Sequence, residues 1–326
     1  MKAMLNRRYG AAEDLRLEEI DAPSPEDGHV TVRVRAAAVN AGDWRLMRGW
    51  PRIARPMMGG LRGPETPVRG WDLAGVVESV ADDVETLRPG DEVFGTGTGT
   101  FAELATARAD ALAPKPPALP FEEAGAIGVA AVTALQALRD RVQVAPGRRV
   151  LVTGAGGGVG TYAVQIAKAY GAEVTGVCSS SKVDLVTKLG ADRVIDYAVE
   201  DFTRDRRRYD VIFDIAGGRS IRATRRALTA DGSLIVIGGK GNTVGPIARI
   251  VKVVVLKLFA RRQRLIPFLA HPTTADLLEL AGMIEAGTLC VAIDTTYPLA
   301  DAGAAIRYVE DGRVRGKAVV VVSRGG

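Results

Sequence analysis

With only two cysteines and two histidines among 326 residues, the chain has too few of either for a disulfide framework or a four-thiolate zinc site. Cys178 and Cys290 therefore point to a reducing compartment, and a cytoplasmic protein is the expectation. No apolar run reaches the roughly 18 residues that cross a bilayer, and the opening MKAMLNRRYG lacks the apolar core of a secretory signal. Aromatic residues are scarce at 5%, but an apolar share of 47% excludes a predominantly disordered chain. Charge of one sign is also lacking. The 43 basic and 38 acidic side chains leave +5, an excess that suits an anionic cofactor as well as a nucleic acid.

Glycine, by contrast, is abundant at 38 residues, well above the average share of about 7%. Without a triplet repeat, this abundance points to tight turns and close backbone approach to a ligand. At roughly 100–200 residues per domain the length implies about two domains.

The first part of the chain reads as β-rich. VTVRVRAAAV (30–39) alternates with the period of two of a half-buried strand, and LAGVVESV (73–80) and residues 101–105 follow between sharp turns. APKPPALP (113–120) holds four prolines in eight residues, which argues against regular structure and marks a boundary. Beyond it, short apolar strands alternate with helix-length stretches from RVLVTGA (149–155) to SLIVIGG (233–239), a βαβ series with a parallel sheet. The expected division is 1–120, 121–270 and 271–326, with the last segment, a helix followed by strand, helix and strand, returning to the first unit.

GAGGGVG (154–160) stands between an apolar strand and the helical run TYAVQIAKAY. In the preferred alignment Ala155, Gly157 and Gly160 take the three small-residue positions of the dinucleotide fingerprint. The amides of Gly158 and Val159 then point at a pyrophosphate from the helix N-terminus. An NAD site usually has an acidic residue about 20 positions further on. Here that stretch reads Cys178-Ser179-Ser180-Ser181-Lys182, with no acid before Asp184. Ser179, Ser180 and Lys182 suit a 2′-phosphate, so NADPH is the expected cofactor; the bland alternative is that the serines cap the next helix.

The motifs VNAGDW (39–44), GWDLAGVV (70–77), RPGDEVFG (88–95), AVTALQAL (131–138), VTGAGGGVGTYAVQIAK (152–168), LGADRVIDY (189–197), YDVIFDIAG (209–217) and RGKAVV (315–320) span essentially the whole chain. Together they resemble the zinc-free medium-chain dehydrogenases/reductases, close to the quinone oxidoreductase and reticulon-interacting-protein-like group. The resemblance implies an α/β fold: a GroES-like β-rich substrate domain from both chain ends, an inserted Rossmann domain, a cleft between them, and a homodimer.

By the same resemblance Asn40 and Asp43 lie beside nicotinamide and substrate, Thr133 near the nicotinamide or its ribose, Lys182 and Tyr197 by the adenosine phosphates, and Gly238 and Lys317 near the cofactor. The alternative readings are a turn residue for Asn40 and a helix cap for Asp43. Trp44, Trp50 and Met57 are candidates for either pocket lining or ordinary packing. Where zinc-dependent relatives place Cys and a His-Glu pair, this chain has Asn40 and Trp71-Asp72, and neither Cys nor His occurs between His29 and Cys178. No metal is expected.

Without a Lewis acid, simple alcohol oxidation is poorly served. Reduction of quinones or α,β-unsaturated carbonyl compounds fits better, because the charge moves to an oxygen that donors or water stabilise while water supplies the proton. The alternatives are an enoyl-thioester reductase and a catalytically weak NADPH-binding sensor. The basic-apolar segment 249–264 places Arg249, Lys252, Lys257 and Arg264 within one helical arc of roughly 140°. By resemblance it is a helix over the substrate cleft rather than a membrane contact. Arg206-Arg207-Arg208 reads as a solvated loop. The expected partners are a small-molecule substrate and a second copy, with no nucleic acid.

Overall fold

Alternating valines set the inner face of the longest strand: Val30, Val32 and Val34 are buried and Arg33 is exposed along β3 (His29–Ala38). The structure is a computed structural model that describes residues 1–49, 55, 63–64, 66–237, 245–257 and 262–322, without the side chains of 245–248. The chain forms two units. One comprises Met1–Val132, His271–Gly287 and Val291–Gly326; the other comprises Thr133–Ala270 and Thr288–Cys290.

In the first unit β1 (Lys2–Leu5) and β2 (Arg16–Glu19) pair as a hairpin-like ribbon. After β3, helix α1 (Ala41–Met47) precedes β4 (Asp72–Val80), β5 (Glu92–Thr96), β6 (Leu104–Arg108) and β7 (Leu112–Pro114). The C-terminal tail contributes α8 (Thr274–Glu285), β14 (Ile293–Pro298), α9 (Ala302–Glu310) and β15 (Lys317–Val321). The seven-stranded sheet runs β14-β15-β3-β4-β5-β7, with β6 also on β3. Val319 lies opposite Ala38, so the tail closes on the strand that starts the unit.

Three sequence expectations shift here. The strand expected at 101–105 begins at Leu104. The proline-rich run is not wholly irregular, because Leu112–Pro114 pairs with β5 and the proline ends the strand, where no ladder donor is needed. The division also falls at Val132 rather than at 120. Helix α2 (Phe121–Ala124) and the start of α3 (Gly128–Gln136) pack on the β-rich unit: Ala38 N–H donates to Gly125 O at 3.1 Å, and a Cβ on Gly125 would lie 2.7 Å from Ala36 O.

The second unit is a parallel sheet of β8 (Arg149–Thr153), β9 (Glu173–Cys178), β10 (Arg193–Asp196), β11 (Tyr209–Asp214), β12 (Leu228–Val236) and β13 (Arg264–Pro267). Its helices are α4 (Gly158–Ala169), α5 (Val183–Lys188), α6 (Ile221–Arg226) and α7 (Gly245–Lys257). The order β10-β9-β8-β11-β12-β13 is that of a doubly wound nucleotide-binding sheet, whose ligand crevice lies at the carboxyl ends of the strands where the order reverses. That point is between β8 and β11.

Close packing of α4 on β8 requires glycine at one position. A Cβ on Gly160 would sit 2.1 Å from Gly154 O and 2.7 Å from Ala155 Cα, both backbone atoms that cannot rotate away. Gly160→Ala is therefore expected to destabilise this unit by about 1–3 kcal/mol, as overpacking does, read as a lower thermal midpoint. An unchanged midpoint would show that the helix can lift off without cost.

Candidate active site

In the second unit the turn after β8 begins with Gly154 at φ +71, a conformation that favours glycine. Ala155 is fully buried and its N–H donates to Val177 O at 3.1 Å, which holds the turn against β9. Gly157 is the N-cap of α4, so Gly158, Val159 and Gly160 open the helix and their amides have no acceptor within it. A Cβ on Gly156 would lie 2.7 Å from Lys182 Cβ and 2.8 Å from its Cδ. The alkyl stem of Lys182 thus lies against the glycine turn.

Ser179 precedes the single turn Ser180–Lys182 without a side-chain capping bond; its hydroxyl faces that of Ser181 at 3.2 Å. Tyr197 is 51% exposed. It lines a cavity of about 140 Å³ with Thr153, Gly154, Asp214, Ala216 and Arg219. Thr133, on α3, is buried.

The carboxyl ends of β8 and β11 are tied by one carboxylate. Thr153 Oγ1 donates to Asp214 Oδ1 at 2.8 Å and accepts from the N–H groups of Ile215 and Ala216 at 3.0 and 3.1 Å. Gly217 N–H donates to Asp214 Oδ1 at 3.0 Å, and the Arg249 guanidinium pairs with Asp214 Oδ2. This corrects the helical arc expected for the basic segment. Arg249 faces inward, Lys252 and Lys257 are exposed beside Val251, Val254 and Val255, and Arg264 begins a strand. Residues 258–261 lie outside the described residues. The arginine run keeps to the surface, where Arg207 pairs with Glu173 at 2.5 Å.

In the first unit a buried ionic cluster gathers four distant segments. Lys317 Nζ donates to Asp72 Oδ2 at 2.9 Å and to Asn40 Oδ1 at 2.8 Å. Val129 N–H donates to Asp72 Oδ1 at 2.7 Å, and Asn40 N–H to Asp43 Oδ2 at 2.7 Å. Asp43 therefore does close the start of α1, and it also lines a cleft of about 310 Å³ with Tyr9, Arg69, Trp71 and Thr98. Burial pushes Asp43 up to about 7; the Asn40 N–H opposes this, Asp72 adds to it, and Lys317 and Arg69 oppose it. The ammonium of Lys317 can only donate, so Asn40 turns Oδ1 toward it, and Nδ2 is left buried without a partner among the described residues.

Trp44 proves to be core: it is 7% exposed and packs in the main apolar cluster of the first unit, away from the lining of this cleft. Its alternation with the polar Asp43 and Arg45 carries no sign of which way the helix turns. Trp50, Met57 and Gly238 lie outside the described residues. Arg69, Trp71 and Tyr9 are the cleft residues that sequence reasoning missed. The small Gly42 was the available signal, since a Cβ there would meet the Trp71 ring at 2.1 Å.

Because the folded state holds the Asp43 proton more tightly than a free carboxyl at 3.8, the stability from this group is complete below about pH 4 and is lost as pH rises through about 7. The loss should amount to roughly 2–4 kcal/mol. Asp43→Asn is expected to show a flatter fall of the thermal midpoint between pH 4 and 8 than the unmodified protein. Equal slopes would show that Asp43 titrates as an ordinary carboxyl.

Two family descriptions match the chain: an alcohol dehydrogenase GroES-like domain over residues 26–117 and a zinc-binding dehydrogenase over residues 189–320. The chloroplast envelope quinone oxidoreductase homolog of Arabidopsis thaliana is 31% identical over 98% of both chains. The human mitochondrial NAD(P)H oxidoreductase RTN4IP1 is 32% identical, covering 99% of this chain and 89% of that one. Among solved structures, the quinone oxidoreductase from Coxiella burnetii aligns with a TM-score of 0.88 over 99% of both chains at 27% identity. A mycobacterial protein complexed with NADPH aligns at 0.85 over 99% of this chain and 100% of that one, at 26% identity. Among the described residues no group of three His, Cys, Asp or Glu is placed for a metal. With both units matched and identity above 30% along nearly the whole length, the chain belongs to the quinone oxidoreductase group of the medium-chain dehydrogenase/reductase family, as an oxidoreductase with a GroES-like and a Rossmann domain.

Proposed function

We propose that the protein reduces quinones or α,β-unsaturated carbonyl compounds with NADPH and without a metal ion. The observation that carries this reading is the dinucleotide turn: the Lys182 stem lies on Gly156, serines follow β9 with hydroxyls not engaged in capping, and no carboxylate stands before Asp184. A carboxylate there would repel a 2′-phosphate, whereas an ammonium and hydroxyls accommodate it. NADPH, when bound, supplies the hydride.

The chain's own residues bind and orient. The amides of Gly158 and Val159, with Ala155, Gly157 and Gly160 keeping the turn tight, take the pyrophosphate. Ser179, Ser180 and Lys182 hold the 2′-phosphate, and Tyr197 flanks the adenosine end. Thr133, Gly238 and Lys317 belong to the nicotinamide side in this reading, with Asn40 and Asp43 beside the acceptor. The fixed orientation of the Asn40 amide means that anything it binds through Nδ2 must be an acceptor of hydrogen bonds, as a carbonyl oxygen gaining negative charge is. Water supplies the proton. Two cysteines that form no disulfide support a reducing compartment such as the cytoplasm, and the outer strand β13 offers an edge for a homodimer.

The test is loss of nicotinamide absorbance with 1,4-benzoquinone and 2-cyclohexen-1-one as acceptors. Turnover with NADPH is expected, with the KM for NADH about tenfold higher; Lys182→Ala should remove most of that difference. Asn40→Ala should lower kcat/KM about 100-fold, and a chelator should leave the rate unchanged. A lower KM for NADH refutes the cofactor assignment. Turnover confined to enoyl thioesters moves the substrate class, and binding without turnover on any acceptor leaves a sensor.

A further inference from the structure

The cleft in the first unit carries a cation that the reductase reading does not use. Arg69, just ahead of β4, is 8% exposed. Its Nη2 donates to the carbonyl of Thr66, while Nε is buried without a partner and Nη1 makes no hydrogen bond among the described residues. A guanidinium offers five N–H donors and stays protonated in proteins, so among the described residues most of its capacity is unspent.

Among the described residues, the charged and titratable groups that act on it are Asp43 and the Tyr9 phenol. Asp43, pushed up to about 7 by burial, is largely protonated in mildly acidic solution and cancels the guanidinium only in part at neutrality. Asp72 is already engaged by Lys317 at 2.9 Å. A cation with an incompletely matched charge, set in a wall of low dielectric, attracts an anion far more strongly than a surface arginine does. The Tyr9 and Trp71 side chains line the same cleft, whose volume of about 310 Å³ is at the small end for ligand sites.

We propose that this cleft is an anion subsite for the acceptor, in which Arg69 takes the carboxylate of a compact conjugated carbonyl compound while Tyr9 and Trp71 flank its flat body. The reaction assigned to that compound rests on the reductase reading; the binding does not.

3-Benzoylacrylate and its methyl ester share one conjugated ketone and differ by one charge, so their KM ratio within a single protein reads the subsite regardless of how much of the protein is folded. The KM for the acid should be about tenfold below that for the ester. Arg69→Met should bring the two within about twofold, and Arg69→Lys should keep part of the difference. An acid no better than the ester, or a ratio unchanged in Arg69→Met, overturns the proposal. Failure to reduce either compound while 1,4-benzoquinone is consumed also overturns it. If no acceptor of any kind is reduced, the reductase reading fails and titration calorimetry with benzoate decides the subsite. Saturable binding weakened about tenfold by Arg69→Met supports it, and absent or unweakened binding overturns it.

Discussion

A buried ammonium must be answered by acceptors, and in this protein that requirement organises the first unit. Lys317 at the start of β15 reaches Asp72 at the start of β4 and Asn40 at the N-cap of α1, while Val129 from α3 takes the other oxygen of Asp72. Four segments separated by up to 277 residues meet at one carboxylate and one ammonium. A buried pair of this kind adds little net stability, but removing either partner leaves an isolated buried charge and costs about 3–5 kcal/mol. Its consequence is specificity of arrangement. The tail has to return, Asn40 has to present its oxygen to Lys317, and Asp43 is left in a wall where ionisation is costly.

The second unit uses the same device in a different place. Asp214 ends β11 and collects the Thr153 hydroxyl, the Gly217 amide and the Arg249 guanidinium. At the switch point of the sheet, where parallel strands leave their carboxyl-end amides without sheet partners, Asp214 and Thr153 together satisfy the amides of residues 215–217. Around it the glycine turn does the complementary work, because its small residues let α4 sit on β8 and let the stem of Lys182 rest on the loop.

Local chemistry made part of this legible without coordinates. The strand, glycine turn and helix at 149–169 could be read directly, since positive φ, helix opening and absence of a carboxylate are properties of a few adjacent residues. The segment 249–264 could not. Its basic residues fall on one helical arc by spacing, but the direction of Arg249 depends on where Asp214 lies, 35 residues away in sequence. Trp44 and Trp71 show the same limit. Both are aromatic residues near a candidate site residue, yet one is core and the other lines the cleft, because that depends on what each meets in space.

Sequence by itself determined the class of each unit and the nature of the nucleotide turn, for these depend on periodicities of two and 3.6 and on residues close along the chain. The tertiary structure alone decided which charges are buried, which are paired and which remain unspent. Lys317, Asp72 and Asn40 become a single unit, and Arg69 becomes a cleft residue, only when burial removes water as the competing partner and distance in space replaces distance in sequence.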